Sequence, residues 1–125
     1  ELGGNNAVII SNQANIEMAV KSVVFGAVGT TGQRCTSTRR LIIQEKVYDE
    51  VKQRLLTAYE SIVEKIGNPF DEKTLVGPMI DNTAVDAFVN AVSEARKEGG
   101  NVLFGGDVLK SDVHCCGNYV VPALI

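Results

Sequence analysis

Short apolar runs alternate along this chain with longer stretches whose apolar residues recur every three or four positions. Ala7-Val8-Ile9-Ile10, bounded by Gly4-Asn5-Asn6 and Ser11-Asn12, reads as a buried strand. Ile16, Ala19, Val20, Val23, Val24 and Ala27 then follow the spacing of an amphipathic helix. Asn12 or Asn15 stands where a cap belongs, and Gly29 and Gly32 end the pattern. Arg39 to Gln44 reads as a second strand centred on Leu41-Ile42-Ile43. Val47, Val51, Leu55, Ala58, Tyr59 and Ile62 mark a long helix, which Gly67-Asn68-Pro69-Phe70-Asp71 breaks. A third helix is carried by Ala84, Val85, Phe88, Val89, Val92 and Ala95, with Gly99-Gly100 as its stop. Val102-Leu103-Phe104 is expected to be a third strand and Tyr119 to Ile125 a closing extended segment. Strands alternating with helices of this length predict βαβ units with right-handed crossovers. The expected fold is therefore α/β: a mostly parallel sheet with covering helices. No helix follows the last segment, so a sheet edge and apolar surface are expected to lie open.

A chain of 125 residues is about one domain, large enough for one core. Net charge is −3 and no basic stripe exists, which argues against nucleic acid or an anionic membrane as partner. The uncharged stretch from Ser22 to Gln33 is too short and too polar to span a bilayer. Cys35, Cys115 and Cys116 are odd in number and irregular in spacing. That favours a reducing compartment, the cytoplasm, with the mitochondrion as the alternative. His114-Cys115-Cys116 does not make a metal site, because structural zinc takes four ligands and no second pair is present. No signal or transit peptide is visible. A chain that begins on Glu1 without methionine is expected to be a piece of a longer protein.

Two residues offer reactive chemistry. Cys35 sits in Gly32-Gln33-Arg34-Cys35-Thr36, a small polar loop with Arg34 adjacent and Arg39 and Arg40 close behind. Cysteine reacts as its thiolate, which neighbouring positive charge or a following helix N-terminus favours. On the loop alone the favoured reading of the same residue is a buried structural thiol. Glu1 lies 34 positions earlier and opens Glu1-Leu2-Gly3-Gly4. A carboxylate beside a glycine pair suits a general base for a nucleophile. Taken alone it is a solvated charge. The glycines lack the spacing of a phosphate-binding loop.

Several runs together resemble the NAD(P)-dependent aldehyde dehydrogenase family: Glu1-Leu2-Gly3-Gly4-Asn5, Gly32-Gln33-Arg34-Cys35-Thr36, Ile66-Gly67-Asn68-Pro69, Gly77-Pro78 and Gly117-Asn118-Tyr119-Val120-Val121-Pro122. They fall in family order over essentially the whole chain. Asn5-Asn6, Arg34 and Lys97-Glu98-Gly99-Gly100 are similar to the antiquitin branch, the α-aminoadipic semialdehyde dehydrogenases of lysine catabolism. The loop from Lys110 to Cys116 departs from the family by its length and its cysteines. The resemblance implies part of a catalytic domain over residues 1–125, with the cofactor-binding domain outside this chain. It implies Cys35 as nucleophile, forming a thiohemiacetal and then a thioester, and Glu1 as the base that activates the hydrolytic water. It places Leu2 and Gly3 against the nicotinamide of NAD, or of NADP as the alternative. The backbone N–H of Cys35 would be one oxyanion donor, and the family's partner asparagine would precede Glu1.

Arg34 would hold the remote carboxylate of the substrate, with Thr36 lining the same pocket. The competing reading of Arg34 is an exposed cation that only supports the thiolate. The partners implied are a small-molecule aldehyde and further copies of the chain in a homo-oligomer, a tetramer in this branch. A different semialdehyde dehydrogenase, such as one for succinic semialdehyde, is the alternative within the enzyme class. A non-catalytic binding or assembly module is the alternative outside it. The 125 residues alone are expected not to turn over aldehydes.

Overall fold

A computed structural model describes residues 3–110 and 118–125. Glu1, Leu2 and the His114-Cys115-Cys116 run lie outside the described residues. The chain divides into two compact units, Glu1–Glu60 and Ser61–Ile125.

The first unit is built on a βαβ element. β1, Asn6–Ile10, runs parallel to β2, Thr38–Ile43. The register pairs Asn6 with Thr38 and Ala7 with Arg40, so one residue of β2 is skipped at the start. From there the ladder runs evenly to Ile10 and Ile43. The crossover is α1, Ile16–Val28, which packs on both strands. Asn15 caps it: its side-chain oxygen accepts from the Met18 N–H at 3.1 Å. Val20, Val23 and Val28 are buried on the helix, as Ile10 is on β1. The paired Ile9 and Ile42 are 76% and 53% exposed, so part of this two-stranded ladder is uncovered, whereas Tyr119, Val120 and Val121 of the closing segment, where open apolar surface was expected, are buried. α2, Glu45–Val63, follows β2 directly. Val51, Leu55, Tyr59 and Ile62 recur along it at helical spacing and are all buried.

In the second unit Ile66 bridges Val76 in parallel, drawing the loop after α2 closed. α3 spans Asn82–Lys97. Asp81 caps it, accepting from the Ala84 N–H at 2.8 Å, and Arg96 and Lys97 stand in its last turn, where cations suit the helix dipole. The third strand expected at Val102-Leu103-Phe104 does not form a parallel ladder. Phe104 and Val108 instead make isolated antiparallel bridges with Leu124 and Val120 of the closing segment. Gly105 explains the break. It lies at φ 63°, and a side chain there would meet the Pro122 carbonyl oxygen at 2.1 Å. Among the described residues no helix is long and apolar enough to cross a membrane.

Candidate active site

The cysteine loop follows α1 through a short 3₁₀ turn at Gly29–Gly32. Thr30 and Thr31 both lie at φ 55°, in the left-handed region. For β-branched residues that conformation costs on the order of 1 kcal/mol or more each. Strain of this kind persists only where the surroundings hold it, and here the Gln33 N–H donates back to the Thr30 carbonyl at 3.1 Å.

Residues 34–37 then close a tight turn around Ser37, which is 2% exposed. The Ser37 hydroxyl oxygen accepts from the Arg34 N–H at 3.1 Å, and the Ser37 N–H donates to the Arg34 carbonyl at 3.0 Å. From β1, the Asn6 side-chain amide donates to the Cys35 carbonyl at 2.6 Å and to the Ser37 carbonyl at 3.2 Å. Both peptide planes flanking Cys35 are thereby fixed through their carbonyls. In a trans peptide the N–H points opposite its carbonyl. With the Arg34 carbonyl tied into the turn, the Cys35 N–H is aimed out of it, and it meets no acceptor among the described residues. Cys35 is a free, exposed thiol, which excludes the buried structural reading. No helix begins after it; the turn leads straight into β2, so no helix N-terminus supports the thiolate.

Cys35 opens on a hollow of about 370 Å³ lined also by Gly3, Gln33, Arg34 and Arg39. Gly3 and Cys35 therefore share one site, 32 residues apart in the chain. Gly3 lies at φ 134°, and a Cβ built on it meets nothing within 4 Å. Gly4 is different: a Cβ there would sit 2.6 Å from the Cys35 carbonyl oxygen. Arg34 is half-buried. Its guanidinium stacks over the Phe25 ring at 4.9 Å, and Nη2 donates to the Phe25 carbonyl at 2.9 Å. Its Nε is buried without a partner among the described residues. This excludes the reading of Arg34 as a freely exposed cation. Thr36 is exposed but is not among the residues that line the hollow, contrary to expectation. Glu1 and Leu2 lie outside the described residues. No group of ligands suited to a metal occurs among the described residues.

Three contributors escape a reading of the sequence. Asn6 looks like strand-boundary punctuation, yet it ties β1 to the cysteine turn. Ser37 looks like a loop polar, yet it is the turn's buried centre. Gly26 lies inside α1, where glycine costs about 1 kcal/mol against alanine. A Cβ there would meet the Thr38 hydroxyl at 2.6 Å, so the glycine lets α1 approach the first residue of β2. The available signal was Gly26 itself, a glycine in the middle of a helical pattern.

The whole chain, residues 1–125, matches the model of the aldehyde dehydrogenase family. It is 47% identical over all 125 residues to a putative aldehyde dehydrogenase family 7 member A1 homolog of Caenorhabditis elegans. It is 48% identical, over the same span, to the alpha-aminoadipic semialdehyde dehydrogenase of Bos taurus. The chain spans 23% and 22% of those relatives' lengths. Among solved structures, betaine aldehyde dehydrogenase from Staphylococcus aureus in complex with NAD+ superposes with a TM-score of 0.93. The match is 31% identical and covers 98% of this chain and 24% of that one.

Proposed function

Because the chain belongs to the aldehyde dehydrogenase family, we propose that its protein oxidises an aldehyde to a carboxylate, with Cys35 as nucleophile and Glu1 as general base. The observation that carries this reading is the exposed Cys35 thiol on a hollow shared with Gly3, its N–H without an acceptor among the described residues and its flanking peptides fixed. The Cys35 thiolate adds to the aldehyde carbon, and the carbonyl π electrons pass to oxygen. The outward N–H of Cys35 is a preorganised donor for that oxyanion, in a position that costs nothing to reorganise during reaction. Bound NAD supplies the acceptor for the carbon-bound hydrogen and its electron pair. A Cβ at Gly3 would meet nothing within 4 Å among the described residues, which fits a flat ring lying against the backbone there; Leu2 is the second residue assigned to the nicotinamide. A thioester on Cys35 remains. Glu1 takes a proton from water, the resulting hydroxide adds to the thioester carbon, and the carboxylate leaves as the Cys35 thiolate is restored.

The substrate we propose is α-aminoadipic semialdehyde, oxidised in lysine catabolism. Support comes from the relatives of that name in cattle, rat and mouse, each 48% identical over this chain. Arg34 supports it too. With Nη2 engaged by Phe25 and Nε buried, Nη1 is the part of the guanidinium left for the substrate's remote carboxylate. Replacing Arg34 by Ala should raise KM for this substrate far more than for a plain aliphatic aldehyde, and equal effects on both would remove the assignment. In the full-length protein, iodoacetamide should alkylate Cys35 with proportional loss of NADH production, and aldehyde should protect. Complete alkylation of Cys35 with activity retained would remove the nucleophile.

A further inference from the structure

We propose that Asn6 is a positioning residue for the nucleophile, holding the Cys35 backbone so that the outward N–H and the thiol address one substrate atom pair together. The inference rests on the reading of Cys35 as nucleophile, and it adds a residue that acts only through another. The two carbonyls that Asn6 reaches, Cys35 at 2.6 Å and Ser37 at 3.2 Å, straddle the turn's outer half. The turn's own bonds, through Ser37, tie the Gln33–Arg34, Arg34–Cys35 and Thr36–Ser37 peptides and do not engage the Cys35–Thr36 peptide. Without Asn6 the Cys35–Thr36 peptide loses its only hydrogen-bond partner among the described residues, because neither Thr36 nor the Cys35 carbonyl has another. That peptide is then free to turn about the Cys35 Cα–C bond, and a turn still anchored at Arg34 and Ser37 accommodates this by a compensating change about the Cys35 N–Cα bond, which swings the side chain relative to the N–H of the same residue.

Asn6 is itself well placed to be stiff. It is the first residue of β1, its backbone is registered opposite Thr38, and Gly4 leaves the space in which the amide meets the carbonyl. A carboxylate in the same place would present oxygen to two carbonyl oxygens and repel them. Asparagine is therefore required for its donor, and its shape alone does not suffice.

Two reactions of the same thiol make different demands on the clamp. Aldehyde addition needs the N–H and the sulfur aligned; alkylation by iodoacetamide needs only an accessible thiolate. In the full-length protein, Asn6→Ala and Asn6→Asp should each lower kcat by roughly 10- to 100-fold, the scale of loss for small misplacements of reacting groups, while KM shifts by less than about threefold. The rate of Cys35 alkylation should stay within about threefold of the parent. In the unsubstituted protein the Asn6 side-chain amide protons should be protected from exchange with solvent. This readout needs no variant, so failure of both variants to fold leaves the question decidable. Freely exchanging Asn6 amide protons would overturn the proposal. So would a kcat within twofold of the parent in Asn6→Asp, or a kcat loss matched by equal loss of alkylation in folded variants. Should the parent protein oxidise no aldehyde at all, the functional reading fails, and amide protection and alkylation still report on the clamp separately.

Discussion

Gly4→Ala is the sharpest single perturbation of the site. No unusual backbone angle is involved at Gly4, so the effect is purely one of space. The added methyl would lie 2.6 Å from the Cys35 carbonyl oxygen, about 0.8 Å short of an ordinary 3.4 Å contact, and 3.0 Å from the Asn6 amide nitrogen. The first obstacle is backbone and the second is the very group that holds that backbone, so neither yields by a simple rotamer change. Relief requires the opening segment and the cysteine turn to part by most of that shortfall. Overpacking of this size costs roughly 1–3 kcal/mol of stability. Displacement of a reacting group on the 1 Å scale costs on the order of 100-fold in rate. The assay is steady-state NADH production by the full-length protein, with thermal unfolding measured on the same samples. A fall in kcat of at least tenfold is expected, with a lowered unfolding temperature. If Gly4→Ala keeps kcat within twofold and unfolds at the parent's temperature, the close packing of the glycine pair against Cys35 is not what the site depends on.

Gly26→Ala should destabilise by about 1–2 kcal/mol despite the better helix propensity of alanine, because the methyl meets the Thr38 hydroxyl. Chemical denaturation of the single variants and of Gly26→Ala with Thr38→Ala should show most of that loss recovered in the pair; full additivity would refute the contact. Tyr59 is 4% exposed, and burial pushes its phenol up from 10.0 to about 12. The folded state therefore holds the proton where the unfolded state has released it. Stability on the order of 2–3 kcal/mol is present below pH 10 and lost as pH rises from 10 through about 12. Denaturation across that window should show the loss in the parent and a flatter profile in Tyr59→Phe; identical profiles would contradict the burial of the phenol. Asp81→Ala should cost about 1 kcal/mol through loss of the α3 cap, read by the same denaturation.

The regular elements were legible because their burial is periodic. Val51, Leu55, Tyr59 and Ile62 announce α2, and Ile16 to Ala27 announces α1, since each buried stripe repeats at the helix's own spacing. The strand expected at Val102 to Phe104 was not, because β propensity says nothing about the left-handed Gly105 immediately after it, which turns the chain to the closing segment. In the site, the reactive loop and its glycine neighbour were visible as motifs. The left-handed Thr30 and Thr31 were not, since β-branched residues argue against that conformation. Asn6 and Ser37 were missed for a related reason. Asn6 acts through hydrogen bonds across 29 and 31 residues of chain, a distance at which no local pattern encodes a partner, while Ser37 bonds Arg34 only three residues away but is buried by the fold around the turn.

One measurement reaches the central claim directly: mass spectrometry of the full-length Glu1→Gln protein, denatured in acid during turnover of a semialdehyde with NAD. Hydrolysis should stall without the base, so an acyl adduct should accumulate on the peptide that contains Cys35, at close to one per chain. An adduct on Cys115 or Cys116 instead, or no acyl-protein while aldehyde is still consumed, would contradict the account.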